Sequence, residues 1–580
     1  MDIPKLETLD AVLRRQAAVL PDHVAFRYLQ DGVSETEQFT YAALDRKARA
    51  LAVRLLAMAQ PGQPVLLLYV DGLEPLAAFF GCQSAGMIAV PVAPPRPRQP
   101  LEALAAIAAD AAASAGAPGL APVVLTSQAL LARLQPEPAL AHLRWLATDT
   151  ISADDPASAA WQPPSTRPDD TAALLYTSGS TSAPKGVMLS HKGLWGPPFD
   201  MPAGLIDPAW RLTGVAWMPL YHIAGLSIAL QVLRVGKAAQ IRLPAELVVE
   251  QPLLWLRAIS RYRAINAGGP NFLYQLCVDR IAPDERAGLD LRLWLFATCT
   301  AEPVRAETLE QFAAAYAGAG FQPWAFVPSY GLSEQAGVSG RVGRQPPKIV
   351  GFDRAALAEN RVVAAGAGAE GALRLVSNGP PGPGITLRIV DPATETACAP
   401  GQVGEVWTAS AYMSAGYWNK PDASAETFQA RLASGEGPFL RTGDLGFIYE
   451  EELYICGRLK DMIIIRGQNY YAQDIEAAAA GSHPQLGGAA AAFAVPAGDE
   501  GPERVVIYHE VRPECAAPDV PAISAAIRRA VARQLQLQVY AVVLVPAGGL
   551  PRTGVGKVRR YLVRDEFMAA QSAPAGAGRE

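Results

Sequence analysis

PVLLLYVDGLEPLAAFFGCQSAGMIAVPVAP, residues 64–94, decides the fold class. A short apolar run, a longer run with helical spacing and a second apolar run make a strand, helix, strand unit. Asp71, Glu74 and Gln83 interrupt the apolar character, so the stretch reads as buried elements of a soluble sheet and not as a membrane span. A helix over Leu101 to Ala115 and a strand over Pro122 to Thr126 continue the alternation. It resumes with TGVAWMPLYH, the helical GLSIALQVLRVG, KAAQIRLP, the helical QPLLWLRAISRYR, RLWLFATC and the helical PVRAETLEQFAAAYAG. Alternation of this kind predicts parallel α/β sheets, here to about residue 320.

The 580 residues exceed what one core serves, so at least two domains are expected. Fifty basic residues stand against fifty-five acidic ones, a formal charge of -5, and no long run of one sign marks a nucleic-acid or anionic-membrane footprint. The N-terminal MDIPKLETLDAVLRRQAAVLPD reads as an amphipathic helix and not as a secretory signal. The expected location is the cytoplasm. Six scattered cysteines form no CxxC pair and no ligand-spaced cluster with the six histidines, which predicts buried reduced thiols.

From about Gly351 to Gly371 the composition turns to alanine, glycine and arginine without clear periodicity, and NGPPGPG follows; this reads as an inserted, partly irregular segment near 350–372. Beyond GRLKD (457–461) come MIIIRG, a helix over QDIEAAAAG, AAAAFAVP, RVVIYHEV, the helix AISAAIRRAVARQLQ and VYAVVLVP. That pattern predicts a small α+β domain of about 120 residues. The final QSAPAGAGRE is too small and polar to pack. The expected architecture is therefore α/β: a large N-terminal domain of several layered subdomains over 1–459, and a small α+β C-terminal domain over 460–580.

YTSGSTSAPKG (176–186) gathers hydroxyls and glycines around one lysine. Glycines let successive backbone NH groups turn toward one anion, hydroxyls add donors and Lys185 adds charge, a composition suited to polyphosphate. It is not a Walker loop, because Pro184 precedes the lysine and Gly186 follows it. Alone, a solvated Ser/Gly linker explains it as well.

Four later motifs favour the phosphate reading: SYGLSE (329–334), FLRTGDLG (439–446), GRLKDMIIIRGQNYYAQDIE (457–476) and PRTGVGK (551–557). In order and approximate spacing the chain resembles the adenylate-forming enzymes over nearly its whole length. The resemblance implies ATP and Mg²⁺ as cofactors. It puts Thr177, Ser178, Gly179, Thr181 and Lys185 around the outer phosphates, Glu334 on the metal and Tyr330 against adenine. Thr300, Ala301 and Glu302 of CTAEP, with Ser329 and Gly331, join the nucleotide site, and Asp444 and Arg458 hold the ribose. Lys557 becomes the catalytic lysine that bridges the attacking carboxylate and the α-phosphate, Lys460 the hinge, and His222 a residue lining the acyl pocket. Such chemistry needs these groups: a carboxylate attacking an anionic phosphate requires both charges neutralised and held in line. Taken singly, Asp444 could close a turn, Tyr330 could be a core aromatic and Arg458 a surface charge.

Within the superfamily, VAFRYLQDG, AFFGCQSAGMIAVPVAPPRP, ISRYRAINAGGPNFLYQLCVDRI and AEPVRAETLEQF resemble the fatty acyl-AMP ligases. FDRAALAENRVVAA resembles the insertion of that family, which is thought there to restrain the domain rotation needed for coenzyme A. The resemblance implies activation of a medium- or long-chain fatty acid as acyl-AMP and transfer to the phosphopantetheine thiol of an acyl carrier protein. The sequence departs from the family where YHDMGL becomes YHIAGL, NGAEP becomes CTAEP, YGLAEATL becomes YGLSEQAG, and Ser182 replaces a glycine. Ile223 in place of an acidic residue favours the rival reading of an acyl-CoA ligase; a non-catalytic acyl-adenylate binder is the other alternative.

Overall fold

The strand expected from PVLLL spans Pro64–Leu68, and every one of its residues is buried, as a central parallel strand requires. This computed structural model describes residues 7–95, 101–113, 121–177, 184–197, 205–207, 212–366, 369, 372–465, 468–496, 503–515, 517–553 and 556–572. Chain contacts divide it into two units: 1–348 with 376–387 and 407–441, and 349–375 with 388–406 and 442–580.

Among the described residues of the first unit, one sheet has six strands, in the order Arg144–Ala147, Val123–Thr126, Pro64–Leu68, Ile88–Val92, Thr171–Thr177, Lys185–Ser190. All neighbours are parallel except the last pair, an antiparallel hairpin at the edge. A second sheet of eight strands has a parallel centre formed by Phe326–Leu332, Phe296–Cys299, Asn266–Gly269, Leu212–Ala216, Ala238–Arg242 and Val24–Tyr28. Antiparallel partners, Gln335–Gly340 and Glu37–Thr40, close its two edges. The expected helices stand between these strands at Glu74–Ser84, Glu102–Ala112, Ile223–Val235, Pro252–Arg261 and Ala306–Tyr316. The Val24–Tyr28/Glu37–Thr40 hairpin was not legible as strands, because EQFT is short, polar and half exposed.

An aromatic cluster organises the second sheet. Tyr274, Trp294, Phe312, Phe321 and Phe326 meet edge to face at centroid separations of 4.9–6.0 Å, and Tyr274 stacks on Trp294 at 6.3 Å. Such pairs contribute about 0.5–1.5 kcal/mol each beyond burial, and this cluster fixes the strands whose ends carry Thr300 and Ser329.

In the second unit the segment expected to be partly irregular carries short elements among its described residues: Ile349–Asp353, Ala364–Ala365 and Ala372–Val376 form a small sheet, with a helix at Arg354–Ala358. Phe352 lies edge-on to Phe447 and Tyr454 at 4.9 and 5.4 Å, so the insertion packs on the Leu440–Tyr449/Glu452–Arg458 hairpin. Two polar contacts reach further, Arg354 to Asp474 at 3.7 Å and Asn469 Nδ2 donating to Asn360 Oδ1 at 3.1 Å. The α+β pattern appears as strands Leu486–Val495, Arg504–Val511 and Val539–Val545 against helices Ala472–Ala480 and Val520–Leu535. A further helix, Arg560–Ser572, follows, and most of the tail from Gln571 lies outside the described residues. All six cysteines are free; Cys82, Cys277, Cys299 and Cys456 are buried, whereas Cys398 and Cys515 are partly exposed. No helix among the described residues is long and apolar enough to cross a membrane.

Candidate nucleotide and acyl-transfer site

The YTSGSTSAPKG segment connects the edge hairpin of the six-stranded sheet. Tyr176 pairs with Gly186 and Thr177 with Lys185 as the last register positions before the loop. Lys185 is therefore anchored by a strand although the loop precedes it. Ser178, Gly179, Thr181 and Ser182 lie outside the described residues, and only the backbone of Thr177 is described.

The root of the loop is fastened by residues from elsewhere. The Tyr176 ring covers Gly186, where an added Cβ would sit 3.0 Å from the ring, so a side chain at 186 would displace the tyrosine. Tyr176 donates its hydroxyl hydrogen bond to Asp110 Oδ2 at 2.8 Å, and Lys420 pairs with Asp110 Oδ1 at 2.6 Å. Burial together with the adjacent Asp110 carboxylate pushes the Tyr176 phenol well above its ordinary range, keeping it a donor. The segment around Lys420 then runs antiparallel beside Lys185–Ser190: Trp418 N donates to Gly186 O at 2.8 Å and Met188 N to Gly416 O at 2.9 Å.

This places Tyr417 beside both the loop lysine and the candidate metal ligand. Lys185 Nζ is 5.2 Å from the centroid of the Tyr417 ring, and Tyr417 donates its hydroxyl hydrogen bond to Glu334 Oε1 at 2.8 Å. Glu334 itself stands in the tight turn between Phe326–Leu332 and Gln335–Gly340, with its carbonyl accepting Ser414 N at 2.9 Å. With Oε1 engaged, Oε2 is the hard oxygen that suits a magnesium ion; a lone carboxylate of this kind fits a metal whose other ligands are substrate phosphates and water. Tyr417 and Asp110 were missed in the sequence. The signal available was the run GYWNKPD (416–422), an aromatic pair set in glycine and proline, whose partners only the fold discloses.

The remaining first-unit candidates gather where parallel strands of the eight-stranded sheet end, the edge at which open α/β sheets bind ligands. Thr300 follows Phe296–Cys299 and donates to Ser329 O at 3.0 Å, which ties CTAEP to the strand bearing Ser329, Tyr330 and Gly331. Ala301 is left-handed, φ 75°, a conformation that costs a residue with a side chain about 1–2 kcal/mol. Glu302 Oε1 accepts Phe272 N at 2.6 Å at the start of the helix Asn271–Arg280, so this carboxylate also serves a helix terminus.

His222 caps the helix Ile223–Val235, its Nδ1 accepting Ala224 N at 3.2 Å. Gly225 in the first turn is obligatory, since any side chain would run into the carbonyl oxygens of Met218 and Pro219. A small cleft begins one residue short of His222, lined among others by Tyr28, Asp71, Leu220, Tyr221 and Arg242. Burial pushes the Asp71 carboxyl up to about 7 despite the opposing pull of Arg242.

In the second unit Asp444 and Arg458 are direct cross-strand partners, and their side chains pair at 2.9 Å. Thr442 Oγ1 accepts Asp444 N at 3.1 Å and donates to Val406 O at 2.7 Å, while Glu405 Oε1 accepts Gly443 N at 3.0 Å, so the TGD turn is rigidly held. The Asp444 side chain is 9% exposed and that of Arg458 49%: one buried acceptor, one accessible donor. Lys460 is exposed in the short helical turn Leu459–Asp461. Lys557 is held by Thr553, whose Oγ1 accepts Lys557 N at 3.1 Å and whose N donates to Lys557 O at 2.7 Å. Arg552, beside Thr553, pairs with the buried Glu510 at 2.7 Å, which pins this loop to the sheet.

The model of the AMP-binding enzyme family matches residues 13–418. The chain is 40% identical over 586 residues to the medium-chain-fatty-acid–[acyl-carrier-protein] ligase JamA of Moorena producens, covering 98% of this chain and 96% of that protein. It is 33% identical over 614 residues to the long-chain-fatty-acid–AMP ligase FadD32 of Mycolicibacterium smegmatis, covering 97% and 95%. A fatty acyl-adenylate ligase from L. pneumophila, solved with acyl adenylate and pyrophosphate, superposes with a TM-score of 0.73 at 34% identity over 98% of this chain and 97% of that one. The chain thus belongs to the AMP-binding enzymes and, among them, to the fatty acyl-AMP ligases.

Proposed function

We propose that this protein activates a medium- or long-chain fatty acid with ATP and delivers the acyl group to the phosphopantetheine thiol of an acyl carrier protein. The observation that carries the adenylation step is the convergence of Lys185 and Glu334 on Tyr417, which fixes a cation for phosphate beside a carboxylate for its metal. A fatty-acid carboxylate oxygen attacks the α-phosphorus, the bond to the β-phosphate oxygen breaks, and acyl-AMP and pyrophosphate result. Lys185, with Thr177, Ser178, Gly179 and Thr181, holds the outer phosphates, and Lys557 neutralises the attacking and attacked groups. Mg²⁺, held by Glu334, supplies charge neutralisation on the phosphates when bound. Asp444 accepts from the ribose hydroxyls with Arg458 beside it, and Tyr330, Thr300 and Ala301 lie toward the adenine. In the second step the thiolate sulfur attacks the acyl carbonyl, AMP leaves and the thiol proton passes to solvent.

The contacts of the insertion with Asn469 and Asp474 support the carrier protein as acceptor over coenzyme A, because they tether residues beyond the proposed hinge at Lys460. We assign residues 460–580 as the small domain and place the enzyme in the cytoplasm. Acid-dependent ATP–pyrophosphate exchange over a panel of fatty acids, with acyl adenylates identified by mass spectrometry, tests the reading. Exchange that no fatty acid stimulates would overturn it.

A further inference from the structure

Lys185 and Glu334 carry opposite charges and are meant for the same triphosphate and its metal. Left to themselves, two such side chains would pair and consume the charges that the nucleotide needs. Instead each has Tyr417 as its partner: the ammonium lies 5.2 Å from the ring centroid, and the carboxylate accepts the phenol at 2.8 Å. We propose that Tyr417 is a positioning residue that holds the two charges apart and oriented to receive ATP and its metal. This rests on the assignment of Lys185 to phosphate and Glu334 to the metal.

Three features equip Tyr417 for the task. It is buried, 8% exposed, with Phe428 edge-on at 5.1 Å, so its ring has little freedom to turn. Its backbone is bridged to Val187, two residues from Lys185, and its amide donates to Ser424 Oγ at 2.9 Å. Its contacts with Lys185 and Glu334 use different parts of the side chain, the π face for the cation and the O–H for the carboxylate, so the second can be removed while the first is kept.

Tyr417→Phe removes the O–H and keeps the ring; Tyr417→Leu removes both. Mn²⁺ binding in the presence of ATP, followed by electron paramagnetic resonance, reads the carboxylate arm without turnover. ATP binding in EDTA, followed by calorimetry, reads the lysine arm. The expected result is a roughly tenfold loss of Mn²⁺ affinity in both variants, and a several-fold loss of metal-free ATP affinity in Tyr417→Leu alone. Glu334→Gln and Lys185→Ala serve as references. Normal Mn²⁺ affinity in Tyr417→Phe while Glu334→Gln loses it would overturn the bridge alone. Normal Mn²⁺ affinity in Glu334→Gln would overturn the metal assignment and the bridge with it.

Discussion

The two units build their site residues in opposite ways. In the first, Lys185, Glu334 and Tyr417 come from three distant stretches of chain and meet only because an edge hairpin, a tight turn and the 414–418 segment are laid side by side. In the second, Asp444 and Arg458 face each other across one hairpin, and Lys557 is held by a residue four positions away. A local arrangement survives changes elsewhere in the fold, whereas a long-range one depends on every layer between its members. Damage to the first unit's frame should therefore impair nucleotide and metal binding through residues that touch neither, whereas damage in the second should stay confined to the residue changed.

The largest effect should come from the second unit's most local element. Lys557→Ala is expected to lower ATP–pyrophosphate exchange by about 10²–10³, as loss of one oriented charge-stabilising donor does. Transfer from supplied acyl-AMP to carrier protein should be spared, and equal loss in both steps would deny Lys557 a specific part in adenylation. Next, Asp444→Asn weakens a charge-assisted acceptor and removes its ion pair with Arg458, so the KM for ATP should rise about tenfold with little change in the KM for the fatty acid. A comparable rise for both substrates would point to general disruption.

How much of this was legible follows the same division. Alternating apolar runs disclosed the parallel sheets, and TGD and TGVGK singled out Asp444 and Lys557 as candidates, whose supporting contacts lie within the motifs or the adjoining strand. YTSGSTSAPKG suggested a phosphate loop but not the hairpin that carries it, and nothing local connects Asp110 with Tyr176 or Tyr417 with Glu334, which stand 66 and 83 positions apart. The alanine- and glycine-rich insertion showed no periodicity from which its short strands could be read; Phe352 supplies one large anchor for them against Phe447 and Tyr454.

A smaller effect is expected where the insertion meets Asn469 and Asp474. Arg354→Ala combined with Asn360→Ala should leave acyl-AMP formation intact while raising acyl-CoA formation only several-fold, because polar contacts of this kind near a surface contribute only about 0.2–1 kcal/mol each. No gain in acyl-CoA would remove these contacts from the account of acceptor choice.

The smallest is a pH effect on another long-range fastening of the first unit. His191 accepts Leu9 N at 3.1 Å through Nδ1, and burial, outweighing Asp10 and Asp170, lowers its pKa to about 4. Its native pKa lies below the unfolded value, so the native state binds fewer protons; stability is complete above about 6.5 and declines as pH falls toward about 4. His191→Gln should flatten the slope of the melting temperature between pH 7 and 5, and an unchanged slope would assign that titration to other groups.

The central claim is the destination of the acyl group. Purified enzyme, ATP, Mg²⁺ and a fatty acid, offered equal concentrations of coenzyme A and phosphopantetheine-bearing carrier protein, allow both thioesters to be counted by mass spectrometry. Acyl-carrier protein is expected in large excess, with acyl-AMP accumulating when the carrier is withheld. Acyl-CoA as the main product would contradict it.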